Sequence, residues 1–136
     1  MQQFVRDWMS NPVVVIPQEV FVDQAVALMR RRGIHSLVVD LPMDNGNKFG
    51  ILTTSDIRDK IAALGCNPSE VRVSDIMTSP IQCAGTGWTL REAAQAMQEL
   101  NIHHLPVQNR RETLVGMISI TDVFFAVEEA GWTGIS

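Results

Sequence analysis

Cysteine is scarce in this sequence, which has only Cys66 and Cys83 and no C-x-x-C pair. A disulfide framework and a zinc site of the usual spacing are therefore not expected. The preferred interpretation is two reduced cysteines that serve packing.

Positive charge and long apolar runs are also in short supply. Eleven Lys and Arg residues against fifteen Asp and Glu residues give a formal net charge of -4. General nucleic-acid binders carry a basic surplus, so we expect no nucleic-acid partner. No apolar stretch approaches the roughly 20 residues that span a bilayer. The first residues have no cationic segment leading into an apolar run, so the sequence predicts a soluble, cytoplasmic protein without a membrane partner.

An internal repeat is the strongest feature of the chain. Residues 5–12 align with 73–80, with Asp7 opposite Asp75 at an offset of 68. Residues 5–39 give ten identities at that offset without a gap, and the offset then falls to 66, where Asp56 meets Asp122. The chain thus divides into two repeats, 1–67 and 68–136.

Each repeat has the pattern of a β-α-β-β-α unit. The first helices are expected to end at Gly33 and Asn101, two aligned residues that tolerate the left-handed conformation. Thr89 and Glu92 fit a capping box. The other predicted elements are strands 13–16 and 81–83, strands 34–39 and 102–107, strands 49–53 and 114–119, and final helices 55–64 and 121–130. One repeat is too small to bury its own sheet and helices, so we predict an α/β fold of two repeats packed through their sheets with pseudo-twofold symmetry.

A glycine-bearing strand runs directly into a helix in both repeats, at 50–56 and 116–122. Each segment places hydroxyls three residues and one residue before an aspartate, Asp56 or Asp122. Free N–H groups at a helix N-terminus favour phosphate, and a carboxylate can accept hydrogen bonds from a ribose diol. The alternative is purely structural, with Ser55 and Thr121 as helix N-caps and the aspartates as ordinary first-turn acids.

These segments, with D-x-M-S/T-x-P at 7–12 and 75–80 and the G-I-H-S-L-V-V and N-I-H-H-L-P-V stretches, resemble a tandem pair of cystathionine-β-synthase (CBS) domains. The resemblance covers nearly the whole chain and implies a regulatory module with AMP, ADP or ATP, sometimes NAD or S-adenosylmethionine, in clefts between the repeats. It implies ribose contacts from the two aspartates. It places Thr53, Ser55, Ser119 and Thr121 near phosphate, and the backbone around Val15, Ile16 and Cys83 beside adenine.

Two aligned pairs follow the first helices, His35 with His103 and Ser36 with His104. They are interpreted as residues that line the cleft or serve the structure. No His or Cys spacing suggests a metal. Members of the resembled family often carry Arg at the second position of each pair, so Ser36 and His104 predict weaker and unequal phosphate sites.

The leading hypothesis is therefore an adenine-nucleotide sensor that needs no cofactor and modulates an unidentified partner protein. The alternative is a structural dimerisation adaptor with vestigial clefts. An enzyme is not expected, because no nucleophile–base pair, metal cluster or Walker-type loop is present. A homodimer is predicted through the final helices, with Ile57, Ile61 and Leu64 on one stripe and 123–127 rich in apolar residues. Trp132 either docks on a partner or folds back.

Overall fold

A computed structural model describes residues 2–10, 13–41 and 49–130. Residues 131–136, with Trp132, lie outside the described part. The chain divides into two compact units. The middle unit is Val14–Ile81, and the terminal unit combines Met1–Val13 with Gln82–Ser136.

The middle unit has a four-stranded sheet in the order β1-β2-β3-β4. Strands β1 and β2 are parallel, and the other two pairs are antiparallel. The elements are β1 (Val15–Pro17), α2 (Val22–Arg32), β2 (Ser36–Asp40), β3 (Phe49–Thr53), α3 (Thr54–Ile57) and β4 (Thr78–Ile81). Helix α3 continues into a π-helical turn, Arg58–Ala62, and 3₁₀ turns follow at Pro68–Glu70 and Val73–Asp75.

The terminal unit repeats this plan with a three-stranded sheet in the order β5-β6-β7. Its elements are α1 (Val5–Trp8), β5 (Ala84–Gly85), α4 (Leu90–Leu100), β6 (His104–Gln108), β7 (Leu114–Ser119) and α5 (Ile120–Ala130). Strands β5 and β6 are parallel, and β6 and β7 are antiparallel. The predicted α/β class and the order of elements in each repeat are confirmed; packing through the sheets with pseudo-twofold symmetry stays a prediction.

Each unit contains the opening segment of the other sequence repeat. In the middle unit, Thr78 of β4 pairs with Ile51 of β3. In the terminal unit, Ser10 forms the corresponding bridge with Met117. The amide of Ser10 donates to the carbonyl of Met117 at 2.8 Å, and the amide of Met117 donates back at 2.9 Å. The repeats are thus units of sequence, whereas packing joins the start of one repeat to the body of the other.

Two glycines make this arrangement possible. A Cβ on Gly116 would lie 2.7 Å from the carbonyl oxygen of Ser10 and 2.8 Å from the sulfur of Met9. A Cβ on Gly50 would lie 2.7 Å from the sulfur of Met77. Glycine therefore occurs in both G-h-h-T/S motifs because the opening segment of the other repeat lies directly against the strand.

Each unit has its own apolar core. The middle core includes Val22, Leu37 and Leu52, and the terminal core includes Leu90 and Ile118, all of them buried. Burying one such side chain stabilises a fold by about 1.5–3 kcal/mol. Each core lies between the sheet and the first helix of its repeat and thereby fixes the strand–helix turn that follows.

The predicted helix ends are confirmed. Gly33 has φ 65° and Asn101 has φ 54°, both in the left-handed region. Thr89 and Glu92 form the expected capping box at the start of α4.

The predicted strand at 81–83 was wrong. Ile81 ends β4 in the middle unit, and the next strand begins at Ala84 in the terminal unit, so Cys83 lies in the connecting segment and in neither strand. Ala84 aligns with Ile16 of β1, which makes β5 the true counterpart of the first strand. Within the described ranges, no helix is long and apolar enough to cross a membrane.

Candidate functional site

Asp56 is buried at the first turn of α3, with 8% of its surface exposed. Its Oδ2 accepts hydrogen bonds from the backbone amide of Thr53 at 3.0 Å and from the Thr53 hydroxyl at 3.2 Å. The amide of Asp56 donates back to Thr53 Oγ1 at 3.3 Å. This reciprocal capping box fixes the carboxylate in one orientation.

Asp122 repeats this geometry at the first turn of α5. Its Oδ2 accepts from the Ser119 amide at 2.8 Å and from the Ser119 hydroxyl at 2.9 Å. Its own amide donates to Ser119 Oγ at 3.2 Å. The side chain is half-buried, so the duplicated hydroxyl-x-x-Asp pattern produces the same rigid turn twice.

The assignment of Ser55 and Thr121 as N-caps was wrong. The caps are Thr53 and Ser119, because the hydroxyl three residues before an N3 acid can reach that residue's amide. Ser55 is half-buried and Thr121 is exposed, both within the first helical turn.

The second residue of each His or Ser pair lies beside the capping hydroxyl. Across the antiparallel strands, Ser36 pairs with Thr53 and His104 pairs with Ser119. His104 therefore belongs to the same unit as Asp122, which sequence alone left open. The structure thus assembles hydroxyl, aspartate and Ser36 in one unit, and hydroxyl, aspartate and His104 in the other.

The first residue of each pair is exposed and contributes through its backbone. The carbonyl of His35 accepts from the amide of Thr54 at 3.1 Å, and the carbonyl of His103 accepts from the amide of Ile120 at 2.9 Å. These bonds hold the start of each final helix against the beginning of β2 or β6.

The residues expected to frame adenine are positioned differently from one another. Val15 is exposed on edge strand β1, beside Val38 of β2, whereas Ile16 is buried in the core. Cys83 is half-buried, and its burial raises the pKa of the thiol to about 11.

One charged residue makes the two aspartate turns unequal. Lys60 Nζ lies 3.3 Å from Asp56 Oδ1 and donates to the carbonyl of Ile76 at 2.7 Å. At the matching offset of 66, Asp122 is followed by buried Ala126, and among the described residues no side chain pairs with its Oδ1. Lys60 was not singled out from the sequence, although an acid and a lysine four residues apart in a helix is a recognisable signal.

Comparison with known proteins identifies the family to which this arrangement belongs. The family model described as "CBS domain" matches residues 5–63 and 73–129. The chain belongs to the CBS-domain family. The predicted resemblance is thereby confirmed, and CBS pairs in general are regulatory, ligand-binding modules.

Several individual proteins are similar to this CBS pair. An uncharacterized protein of Methanopyrus kandleri is 32% identical over 107 residues, which cover 79% of this chain and 53% of that protein. An inosine-5'-monophosphate dehydrogenase of Korarchaeum cryptofilum is 32% identical over 121 residues, covering 88% of this chain and 23% of the enzyme. The chain thus spans about half of the first relative and about a quarter of the second.

A solved structure shares the fold over nearly the whole chain. The hexameric CBS-CP12 protein from bloom-forming cyanobacteria superposes with a TM-score of 0.86 at 30% identity. The match covers 96% of this chain and 72% of that one.

A groove of the same construction occurs in both CBS repeats, between the end of the first helix and the start of the final helix. Both grooves are mostly apolar, with volumes of about 450 Å³ in the middle unit and 400 Å³ in the terminal unit. His35 and Thr54 border the first groove, and His103 and Ile120 occupy the matching positions in the second. Thr54 and Ile120, which border the grooves, belong to the same helical turns as the capping aspartates, but neither aspartate lines its groove.

The final helices differ in how much apolar surface they expose. On α5, Phe124 is 65% exposed, and Ile120 and Phe125 are also exposed. In the middle unit, Ile61 is buried in its own core and Ile57 packs against that core, while Leu64 is exposed. The predicted apolar stripe of the first repeat thus mostly covers its own unit.

Two further observations concern charge and metal ligands. Arg58 pairs with Asp59 at 2.7 Å on the exposed surface, where an ion pair contributes little to stability. In the part of the chain that the structure describes, no group of three or more His, Cys, Asp and Glu side chains is placed to hold a metal ion.

Proposed function

We propose that this CBS pair senses an adenine nucleotide, AMP, ADP or ATP, and modulates a partner protein. The observation that carries the proposal is the Asp122 turn. One oxygen of that carboxylate is fixed by the capping box, while Oδ1 has no partner among the described residues. The module itself is proposed to be non-catalytic and cytoplasmic.

A carboxylate held in this way suits a ribose diol. Both ribose hydroxyls can donate to it, and charge-assisted hydrogen bonds are about twice as strong as neutral ones. Because the capping box already fixes the side chain, little rotamer freedom remains to be lost on binding. The backbone beside β5, including Cys83, is the proposed position of adenine.

The phosphate end is proposed to lie at the start of α5. This helix has eleven residues, and the partial positive charge at its N-terminus favours an anion. Thr121 is exposed in the first turn, and His104 lies across from Ser119 on the neighbouring strand. A hydroxyl and an imidazole thus lie near the turn that holds Asp122.

Calorimetric titration of AMP, ADP and ATP tests this assignment. Replacing Asp122→Asn removes the charge but keeps an oxygen for the cap. Loss of the charge-assisted bonds is expected to cost about 1.5–3 kcal/mol of binding free energy. Glu92→Gln is the matched control, because Thr89 and Glu92 form the same type of capping box at α4, outside the proposed site.

The control is expected to bind as the wild type does. Equal affinity in wild type and Asp122→Asn would reject the ribose assignment. Absence of binding for every adenosyl compound tried, including NAD and S-adenosylmethionine, would reject the sensor.

A second candidate role is self-association through α5, favoured by the exposed Ile120, Phe124 and Phe125. Exposed aromatic residues at one place are typical of an interface. We propose a second copy of this chain as the occupant, since the CBS-CP12 neighbour is described as hexameric. A homodimer is the simplest such assembly.

Sedimentation equilibrium over a concentration series tests self-association. Phe124→Gln is expected to shift the mass toward the monomer. Leu64→Gln removes an equally exposed apolar side chain from the other unit and is expected to change the mass less. A strictly monomeric wild type at tens of micromolar, with and without nucleotide, would exclude the dimer.

A further inference from the structure

Lys60 gives one of the two aspartate turns a charged neighbour that the other turn lacks among the described residues. The capping boxes at Asp56 and Asp122 match bond for bond. Four residues further on, however, one turn carries an ammonium group and the other carries a buried alanine, Ala126. The carboxylate is therefore common to both repeats, whereas the neighbouring ammonium group is present in only one of the two turns.

The contacts of Lys60 occupy the part of Asp56 that the capping box leaves free. Oδ2 of Asp56 is bound by Thr53, and Oδ1 lies 3.3 Å from the ammonium. The same ammonium donates to the carbonyl of Ile76 at 2.7 Å, so a second bond holds the lysine in place. Both carboxylate oxygens of Asp56 are thus engaged before any ligand arrives.

The backbone around Lys60 also differs from that of the other repeat. Residues Arg58–Ala62 form a π-helical turn, with the amide of Ala63 donating to the carbonyl of Arg58 at 2.8 Å. The corresponding part of α5 is an ordinary α-helix. Such π-helical insertions occur frequently at functional sites.

We propose that Lys60 determines the specificity between the two sites, by blocking Asp56 as a ribose acceptor so that the Asp122 site fills first. The proposal rests on the proposed nucleotide function. A ribose that uses Asp56 must displace the ammonium from Oδ1, whereas a ribose that uses Asp122 displaces no protein group among the described residues. The lysine is 43% exposed, so its contact with Asp56 is weak enough to be displaced at high ligand concentration.

Four variants isolate this effect: Asp122→Asn and Asp56→Asn, each with and without Lys60→Met. Adenosine and AMP are the probes, titrated by calorimetry. In the Asp122→Asn background, Lys60→Met is expected to strengthen adenosine binding about two- to fivefold, the size of a partly exposed ion pair. In the Asp56→Asn background, the same change is expected to have no effect.

The pair of probes separates blocking from direct binding. If Lys60→Met weakens AMP and leaves adenosine unchanged, the lysine is a phosphate ligand and the proposal is wrong. Unchanged affinity for both probes in the Asp122→Asn background also overturns it, while leaving the nucleotide function intact. No binding by any variant or by the wild type overturns the nucleotide function and the blocking role together.

Urea unfolding gives a second readout that needs no ligand. If Lys60 and Asp56 interact, the midpoint shift of Asp56→Asn/Lys60→Met is smaller than the sum of the two single shifts. Additive shifts would show that the contact contributes nothing, and the proposal would then fail.

Discussion

Replacing Gly116 by alanine is the sharpest test of how the opening segment is held. The added Cβ would lie 2.7 Å from the carbonyl oxygen of Ser10, which is backbone and cannot rotate away. Relief requires Ser10 to move, which weakens its two hydrogen bonds with Met117, of 2.8 and 2.9 Å. Two backbone hydrogen bonds contribute about 1–3 kcal/mol to stability.

Alanine also changes the unfolded chain. It restricts that chain more than glycine does, and this raises the free energy of unfolding by about 0.4–1 kcal/mol. The net loss of stability for Gly116→Ala is therefore expected to be about 1–2 kcal/mol.

Gly50→Ala is the matched control on the other repeat. Its closest neighbour is the sulfur of Met77, at 2.7 Å, near the end of a flexible side chain that can change rotamer. Ser79 Cβ at 3.3 Å and Val39 Cβ at 3.4 Å need to give only slightly. The expected cost is below about 1 kcal/mol.

Urea denaturation measures both variants. Tryptophan fluorescence follows the terminal unit, because Trp8 and Trp88 pack against its core, and circular dichroism follows the whole chain. Gly116→Ala should lower the midpoint more than Gly50→Ala does. Equal midpoints, or the reverse order, would refute the close contact between Gly116 and the backbone of Ser10.

Two further predictions follow from the turns and the cysteines. Thr53→Ala should lower stability by about 0.5–2 kcal/mol in the same urea assay because it removes the helix cap. Ser55→Ala should change stability by less than about 0.5 kcal/mol. The opposite order would show that Ser55 is the N-cap, as the sequence suggested. Cys83, whose pKa is raised to about 11 by burial, should react with iodoacetamide at pH 8 far more slowly than exposed Cys66. The thiolate is the nucleophile, and the raised pKa leaves very little of it at pH 8. The rate at Cys83 should climb as pH rises toward 11, and mass spectrometry showing equal labelling of both cysteines at pH 8 would contradict the buried thiol.

The sequence predicted those features that depend on local chemistry. Gly33 and Asn101 were identified as helix ends because both residues tolerate the same backbone conformation, and Thr89 was identified from the spacing to Glu92. The same spacing relates Thr53 to Asp56. The N-cap was nonetheless misplaced, because the hydroxyl next to the aspartate was preferred over the hydroxyl three residues before it.

Features that depend on distant parts of the chain were missed. The boundary between β4 and β5 cannot be recognised from the local sequence, since Ile81 and Ala84 are close in sequence but belong to different sheets. Lys60 acquires its importance from the carbonyl of Ile76, sixteen residues away. The ribose, phosphate and adenine assignments stay predictions for the ligand experiments.

The opening segments also bear on what one repeat could do alone. A molecule made of one repeat would lack the residues that pair with Ile51 or Met117 at the edge of its sheet, and would have to obtain them from a second molecule. Such association of two molecules depends on the protein concentration. Joining two copies through residues 66–70 turns it into loop closure within one chain, whose entropy cost grows only slowly with linker length. Fusion of the two copies therefore makes completion of each sheet independent of how much protein is present.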